Sequence, residues 1–154
     1  MPAYPIIFAL TFDVRCSEFS ARVVARGRVL MEMDDGEWWC HGVDPGGISA
    51  CAPAPPHAFL AFKEAFNTVL RQLAGEAGSF DRFQRAARGL MNDQDRNEAE
   101  RWEQAREAYR AGASDAGPFS ELKKVTGHVE TSVEIKQLDK LLAGEETIAM
   151  ATAA

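Results

Sequence analysis

Cysteine is scarce in this sequence, and the three cysteines stand at irregular positions: Cys16, Cys40 and Cys51. An odd number without a recurring spacing argues against the disulfide framework of a small secreted protein. No Cys-x-x-Cys pair is present to give the usual spacing of a structural zinc site. We therefore expect free thiols in a cytoplasmic protein, and we expect neither a metal nor a cofactor.

Long apolar runs are missing as well. No stretch approaches the run of about 20 apolar residues that a membrane-spanning helix requires. The apolar run near the N-terminus has no basic residue before it, which argues against a signal peptide. We expect a protein that does not associate with membranes.

The sequence also lacks an excess of positive charge. Its 154 residues include 17 Lys and Arg against 23 Asp and Glu, which gives a formal net charge of −6. A nucleic-acid-binding domain normally carries a basic surface, and neither a helix-turn-helix nor a ribbon-helix-helix pattern is recognisable. We expect no DNA binding without a partner or a hidden C-terminal module. An acidic protein is instead suited to a basic protein partner.

Nucleotide-binding and catalytic signatures are absent too. The sequence has no G-x-x-x-x-G-K-S/T loop and no G-x-G-x-x-G motif. Cys40, His41 and Cys51 are a candidate metal set, but neighbouring positions of a strand point to opposite faces, which separates Cys40 from His41. Other isolated candidates for a base, a nucleophile or a carboxylate site are His57, Cys16 with His41 or His128, and Asp34-Asp35. Nothing in the sequence brings these groups together, so we predict no catalytic residues and no enzyme.

The most informative stretch runs over residues 29–73, where short apolar runs alternate with turn signals and lead into a helix. Residues 28–33 alternate with a period of two, which predicts a half-buried strand with Leu30 as the exception. Asp35-Gly36 predicts a hairpin turn, because glycine tolerates a positive φ. A return strand over 37–42, a loop over 43–47 and a short strand over 48–51 follow before prolines stop the sheet.

A long amphipathic helix is predicted over residues 57–73. Its apolar positions recur at spacings of three and four, which gives one broad stripe. The stripe consists of Phe59, Phe62, Phe66, Val69, Leu70 and Leu73. Gly75 and Gly78 are predicted to end this helix.

Two further helices are predicted after this one. Ser79 is a suitable N-cap for a helix that runs to about residue 91. Residues 94–111 are strongly charged and predict a surface helix that docks through Trp102 and Tyr109.

The two ends of the chain carry weaker patterns. Residues 6–14 and 19–25 predict strands, with Gly27 interrupting the second before residue 28. Near the C-terminus, residues 119–125 suggest a helix. The remaining apolar positions alternate like a strand at Val133 and Ile135 and look helical at Leu138, Leu141 and Leu142. The last ten residues lack periodicity and suggest a frayed end.

These patterns predict an α+β fold. A small antiparallel sheet is packed on one face by the 57–73 helix, and additional helices follow. We divide the chain into a sheet-plus-helix core domain at 1–78, a helical extension at 79–143 and a flexible tail at 144–154.

Two adjacent tryptophans predict an association surface. Trp38 and Trp39 leave opposite faces of one strand, and a single helix covers only one face. Either the 79–111 helices or a second subunit must cover the other tryptophan. Because the charged 94–111 helix offers few apolar groups, we predict a homodimer or a higher homo-oligomer. The candidate interface residues are Trp38, Trp39, Trp102 and Tyr109.

The 29–73 segment resembles the core of HicB-like antitoxins. The run Asp34-Asp35-Gly36-Glu37-Trp38 is similar to the acidic turn and aromatic strand of that family. The run Asp44-Pro45-Gly46-Gly47-Ile48-Ser49 is similar to its loop and short strand, and Glu64-Ala65 with the apolar stripe is similar to its helix.

The resemblance implies a non-enzymatic interaction protein that binds a basic, ribonuclease-type toxin, here a HicA-like partner. Two alternatives remain open from the sequence. One is a small-ligand-binding or enzymatic domain that uses the hairpin and the Pro-Gly loop as a pocket, and the other is a structural scaffold without a toxin partner.

Overall fold

The strands of this protein form one mixed sheet with helices on both faces. The computed structural model describes residues 2–139 and 148–154. In chain order the described elements are β1 (Ala3–Arg15), β2 (Ser20–Asp34), β3 (Glu37–Asp44), β4 (Ser49–Ala52), α1 (Pro55–Ala77), α2 (Phe80–Asn92), α3 (Arg96–Arg110), a 3-10 turn (Gly117–Phe119), β5 (Lys124–Val125), β6 (Ser132–Leu138) and β7 (Ile148–Ala153). The predicted α+β class is confirmed, and the sheet is larger than the small antiparallel one expected.

The long β1–β2 hairpin organises the sheet. These strands pair without a gap from Ala3 opposite Glu32 to Arg15 opposite Ser20. The other edge of β2 is shared end to end, because β6 pairs with its first half and β3 with its second half. The sheet order is β4-β3-β2-β1-β7-β5, so β4 ends the sheet on one side. Within the described residues, β5 and β7 are the parallel pair.

The first face of the sheet packs against α1 and α2. Even-numbered residues of β1 point to this face and meet the apolar stripe of α1. Phe66 is fully buried at the centre, with ring centroids 4.7 Å from Phe12, 6.0 Å from Phe62 and 6.4 Å from Phe8. The predicted stripe is therefore confirmed. The helix is longer than predicted, because Gly75 lies inside it and Gly78 supplies the left-handed C-cap.

The second face of the sheet is packed by α3. Trp102 is fully buried, and its indole N–H donates a hydrogen bond to the carbonyl oxygen of Ile6 at 3.2 Å. Leu30 and Val43 belong to the same small core. This explains why Leu30 departs from the alternation of its strand, since a helix covers the face to which it points. α1 and α3 therefore cover opposite faces of the sheet.

Gly27 does not interrupt the second strand. β2 continues through it, and a Cβ at this position would collide with the backbone carbonyl of Asp44 and the ring of Phe8. The predicted break is wrong because the glycine serves a close backbone approach inside the strand. The next strand, β3, also extends through Asp44 into the predicted loop.

The C-terminal predictions need the largest correction. Residues 119–125 form the end of a 3-10 turn and the short strand β5 instead of a helix. The strand at Val133 and Ile135 is present as β6 and includes Leu138, whereas Leu141 and Leu142 lie outside the described residues.

Segments from all three predicted units contribute strands to one sheet. β6 pairs with β2 and β7 pairs with β1, so segments assigned to an extension and a tail complete the core sheet. β7 is not frayed, because Thr152 and Ala153 are buried. No helix in the described ranges is long and apolar enough to cross a membrane.

Candidate functional site

Trp38 and Trp39 point to opposite faces of β3, as predicted. Trp38 packs on the first face, with ring centroids 6.0 Å from Tyr4 and 5.9 Å from Phe119. Trp39 lies on the second face and stacks on His41 at 5.6 Å with an interplanar angle of 7°. Both tryptophans therefore have covering groups within one chain, and a second subunit is not needed to explain them.

Trp39 belongs to a surface at the β4 end of the sheet. On β4, Cys51 stands opposite Trp39 and Ser49 stands opposite His41. Cross-strand partners point to the same face, so these four side chains form one patch, here called the Trp39 surface. Ser49 and Cys51 are exposed, whereas Trp39 and His41 are half-buried.

A chain of hydrogen bonds crosses this surface. His41 Nδ1 lies 3.0 Å from Ser49 Oγ, and His41 Nε2 lies 3.1 Å from Glu32 Oε1. Arg101 of α3 binds the other Glu32 oxygen and also contacts Glu98 at 3.2 Å. The order serine, histidine, carboxylate is that of a nucleophile with its base. Because Arg101 neutralises the carboxylate, the arrangement is better suited to hold His41 and α3 in place than to activate Ser49.

Charge and hydrogen bonding shift the acidity of Glu32. Burial alone raises its pKa, but the hydrogen bond and charge of Arg101, followed by those of His41, outweigh burial and lower the pKa. Glu32 therefore remains ionised in the folded protein at a pH where an unfolded chain begins to take up a proton.

Replacing Glu32 by glutamine is expected to destabilise the protein in a pH-dependent way. The charge-assisted bonds that E32Q removes contribute about 1–3 kcal/mol. Since the pKa is lowered on folding, this stabilisation is fully present above the ordinary value of 4.5 and is lost as the pH falls through the folded value. Urea unfolding at pH 7 should show the full difference between wild type and E32Q, and unfolding near pH 3 should show a smaller one.

Glu64 provides a matched control for this prediction. It is exposed on α1, and E64Q should leave the free energy of unfolding within about 0.5 kcal/mol of wild type at both pH values. If E32Q lowers the free energy of unfolding equally at both pH values, the Glu32 side chain contributes packing and not charge.

Polar groups of the Pro-Gly loop form hydrogen bonds within the chain. Asp44 accepts a hydrogen bond from Arg28 at 2.6 Å and another from Gln94 at 3.2 Å. The amide of Gly46 donates to the carbonyl oxygen of Asp93 at 2.9 Å. These polar groups of the loop thus hold the connection between α2 and α3 in place.

The other candidates from the sequence do not converge. Cys40 is buried on the first face, where burial raises the pKa of its thiol, and His41 lies on the second face. Cys16 lies in the β1–β2 connection and His57 is exposed in the first turn of α1. In the ranges 2–139 and 148–154, no three His, Cys, Asp or Glu side chains are grouped so that they could hold a metal ion. Asp35 and Gly36 form the hairpin turn with positive φ, as predicted.

The four candidate interface residues have different environments. Trp102 is fully buried where α3 packs against the sheet. Tyr109 is half-buried, and Lys124 Nζ lies 4.9 Å from its ring centroid. Trp38 packs against the first-face core, whereas Trp39 lies beside exposed groups, one strand from the edge of the sheet.

Sequence reasoning missed the contact between Glu32 and His41. The hairpin register places Glu32 opposite Trp39 and Leu30 opposite His41, so Glu32 and His41 are diagonal neighbours on one face. A two-residue Asp35-Gly36 turn fixes this register, and the signal was therefore available in the sequence.

No family model matches the sequence, and neither a curated protein nor a solved structure is significantly similar to it.

Proposed function

We propose that this chain is a non-enzymatic interaction protein that binds a basic protein partner, and that the partner docks on the Trp39 surface. The function resembles that of a HicB-like antitoxin with its ribonuclease-type toxin. The observation that carries the proposal is the position of Trp39, which is half-buried beside exposed groups, one strand from the edge of the sheet. Tryptophan is one of the residues enriched among the side chains that contribute most to binding at protein interfaces.

The edge next to Trp39 supports docking of an extended segment. β4 ends the sheet, and no described strand pairs with its outer side. An added strand would hydrogen-bond to the backbone of β4 and bring its side chains beside Ser49 and Cys51. β4 has only four residues, so backbone pairing supplies part of the contact and Trp39 supplies the apolar anchor.

The charges near this edge favour a basic partner. The hairpin turn carries the exposed residues Asp34 and Asp35, and the half-buried Glu37 follows. None of these three forms an ion pair with a described residue. Acidic groups around an apolar anchor steer a basic protein toward the surface and reject acidic competitors. The net charge of −6 acts in the same direction.

Capture of a partner from a lysate of the native host tests this proposal. The wild-type chain is expected to retain a small basic protein at low salt, identified by mass spectrometry. W39A should weaken its binding by about 30-fold, because loss of an interface anchor costs about 2 kcal/mol. D34N/D35N should slow association and reduce its dependence on salt. Asparagine tolerates the positive φ of Asp35, so this variant keeps the turn.

The pair E64Q/E76Q is the matched control, since it also removes two exposed carboxylates, but from α1, which packs against the face opposite to the Trp39 surface. Partner binding that responds equally to both double variants would reflect net charge and contradict docking at this edge. A ribonuclease assay of the captured protein, with and without the chain, decides whether the pair behaves as toxin and antitoxin. Light scattering that shows a dimer dissociated by W39A would instead assign the surface to self-association.

A further inference from the structure

The second face of the sheet holds a cavity beside the region that α3 covers. Its volume is about 310 Å³, and it lies between β1, β7 and the segment from Lys123 to Glu130. Alanines form much of its floor. Ala9 on β1 stands opposite Ala149 on β7, and Ala151 stands one row away, opposite Ile7. Because these cross-strand neighbours point to the same face and most are small, they leave a depression in the sheet.

The rim of the cavity is basic on two sides. Arg26 stands opposite Ala9 on β2, and Lys123 and His128 come from the other side. Glu130 is the acidic side chain on this rim. With histidine neutral, two cations and one carboxylate leave an excess of one positive charge at the mouth of an apolar depression.

Arg26 differs from the other arginines of its strand. Arg22 is held by Asp13 at 2.8 Å and Arg28 is held by Asp44 at 2.6 Å, so each has a carboxylate partner. Arg26 forms no ion pair or hydrogen bond with a described residue through its side chain, and the same holds for Lys123. Within the described residues, no carboxylate therefore pairs with either of these two cationic side chains at the cavity.

We propose that this cavity binds a small carboxylate with an apolar body, such as a medium-chain acyl carboxylate or an arylcarboxylate. The apolar body lies on the alanine floor, and the carboxylate is bound by Arg26 and Lys123. Ligand pockets span about 300–1,000 Å³, so this cavity accommodates a small molecule and excludes a large cofactor. The site is separate from the Trp39 surface and does not depend on the function proposed for it.

Titration calorimetry of the full chain with decanoate below its micellar concentration tests the proposal. Hexanoate, dodecanoate and naphthylacetate complete the panel of acids, and decanol is the uncharged analogue. We expect saturable binding of at least one acid, and we expect R26Q and K123Q each to raise its Kd about tenfold. A149F should abolish binding by filling the floor. Backbone amide signals of Ala9, Ala149 and Ala151 should shift during the titration.

R88Q is the matched control, because Arg88 is exposed on α2 against the other face of the sheet. It should bind the acid like wild type, and melting curves of all variants verify that they fold. The proposal is overturned by decanol binding as tightly as decanoate, by binding that survives A149F, or by equal losses in R26Q and R88Q. Absence of saturable binding for every acid of the panel overturns it as well.

Discussion

Replacement of Phe66 by alanine is expected to lower the free energy of unfolding by about 3–5 kcal/mol. Phe66 is fully buried between α1 and the sheet, and its ring meets Phe8, Phe12 and Phe62. The truncation removes apolar surface burial and leaves a cavity that three surrounding rings cannot fill. For a chain of this length, the melting temperature should fall by about 6–20 °C. Chemical denaturation with calorimetry measures both quantities.

Leu60 is the control for this expectation, since it lies on the same helix with 44% of its surface exposed. L60A should change stability by less than about 1 kcal/mol. An F66A variant that melts with the wild type would show that α1 presents a different face to the sheet.

Truncation of Trp102 is expected to have an effect of similar size on the opposite face. W102A removes the largest side chain of the second core and should cost about 3–5 kcal/mol. It also removes the hydrogen bond to the Ile6 carbonyl and the ring beneath the guanidinium groups of Arg28 and Arg106, which lie 5.1 Å and 5.7 Å from its centroid. Hydrogen exchange should show a loss of protection concentrated in α3, whereas F66A should affect α1 and the first face.

W102F separates packing from hydrogen bonding. Phenylalanine keeps most of the apolar contact and loses the indole N–H, so W102F should cost less than W102A, with about 1 kcal/mol for the lost bond. Equal stability of W102A and wild type would mean that α3 does not depend on this tryptophan for docking.

Local patterns in the sequence were sufficient for the elements around the hairpin. The apolar stripe of α1 and the Asp35-Gly36 turn each result from interactions between near neighbours, and both are confirmed. Gly27 was misread because its reason lies elsewhere in the chain, at the Asp44 carbonyl that approaches it. β7 was missed because alternating alanines have little strand propensity of their own, and its pairing with β1 is entirely long-range.

The features of the candidate site also fall into two groups, those that follow from local strand geometry and those that require long-range contacts. The opposite directions of Trp38 and Trp39 follow from strand geometry alone and were predicted. The cavity on the second face forms only where β7 and the segment after β5 lie beside β1. No local sequence pattern predicts these long-range contacts. The sequence predicted that α3 docks through Trp102, but not that this side chain is fully buried. The sequence gives no measure of how much of the sheet a docked helix covers.

The pairing of β7 with β1 has a consequence for the order in which the sheet is completed. Ile6 stands opposite Thr152, so this contact joins residues almost a full chain apart. The β1–β2 hairpin closes over a short loop at small entropic cost, whereas the β1–β7 pair closes a far longer one. During synthesis, the edge of β1 that faces away from β2 therefore cannot pair with β7 until residues 148–152 have left the ribosome. Until then, that edge is open to pairing with another molecule.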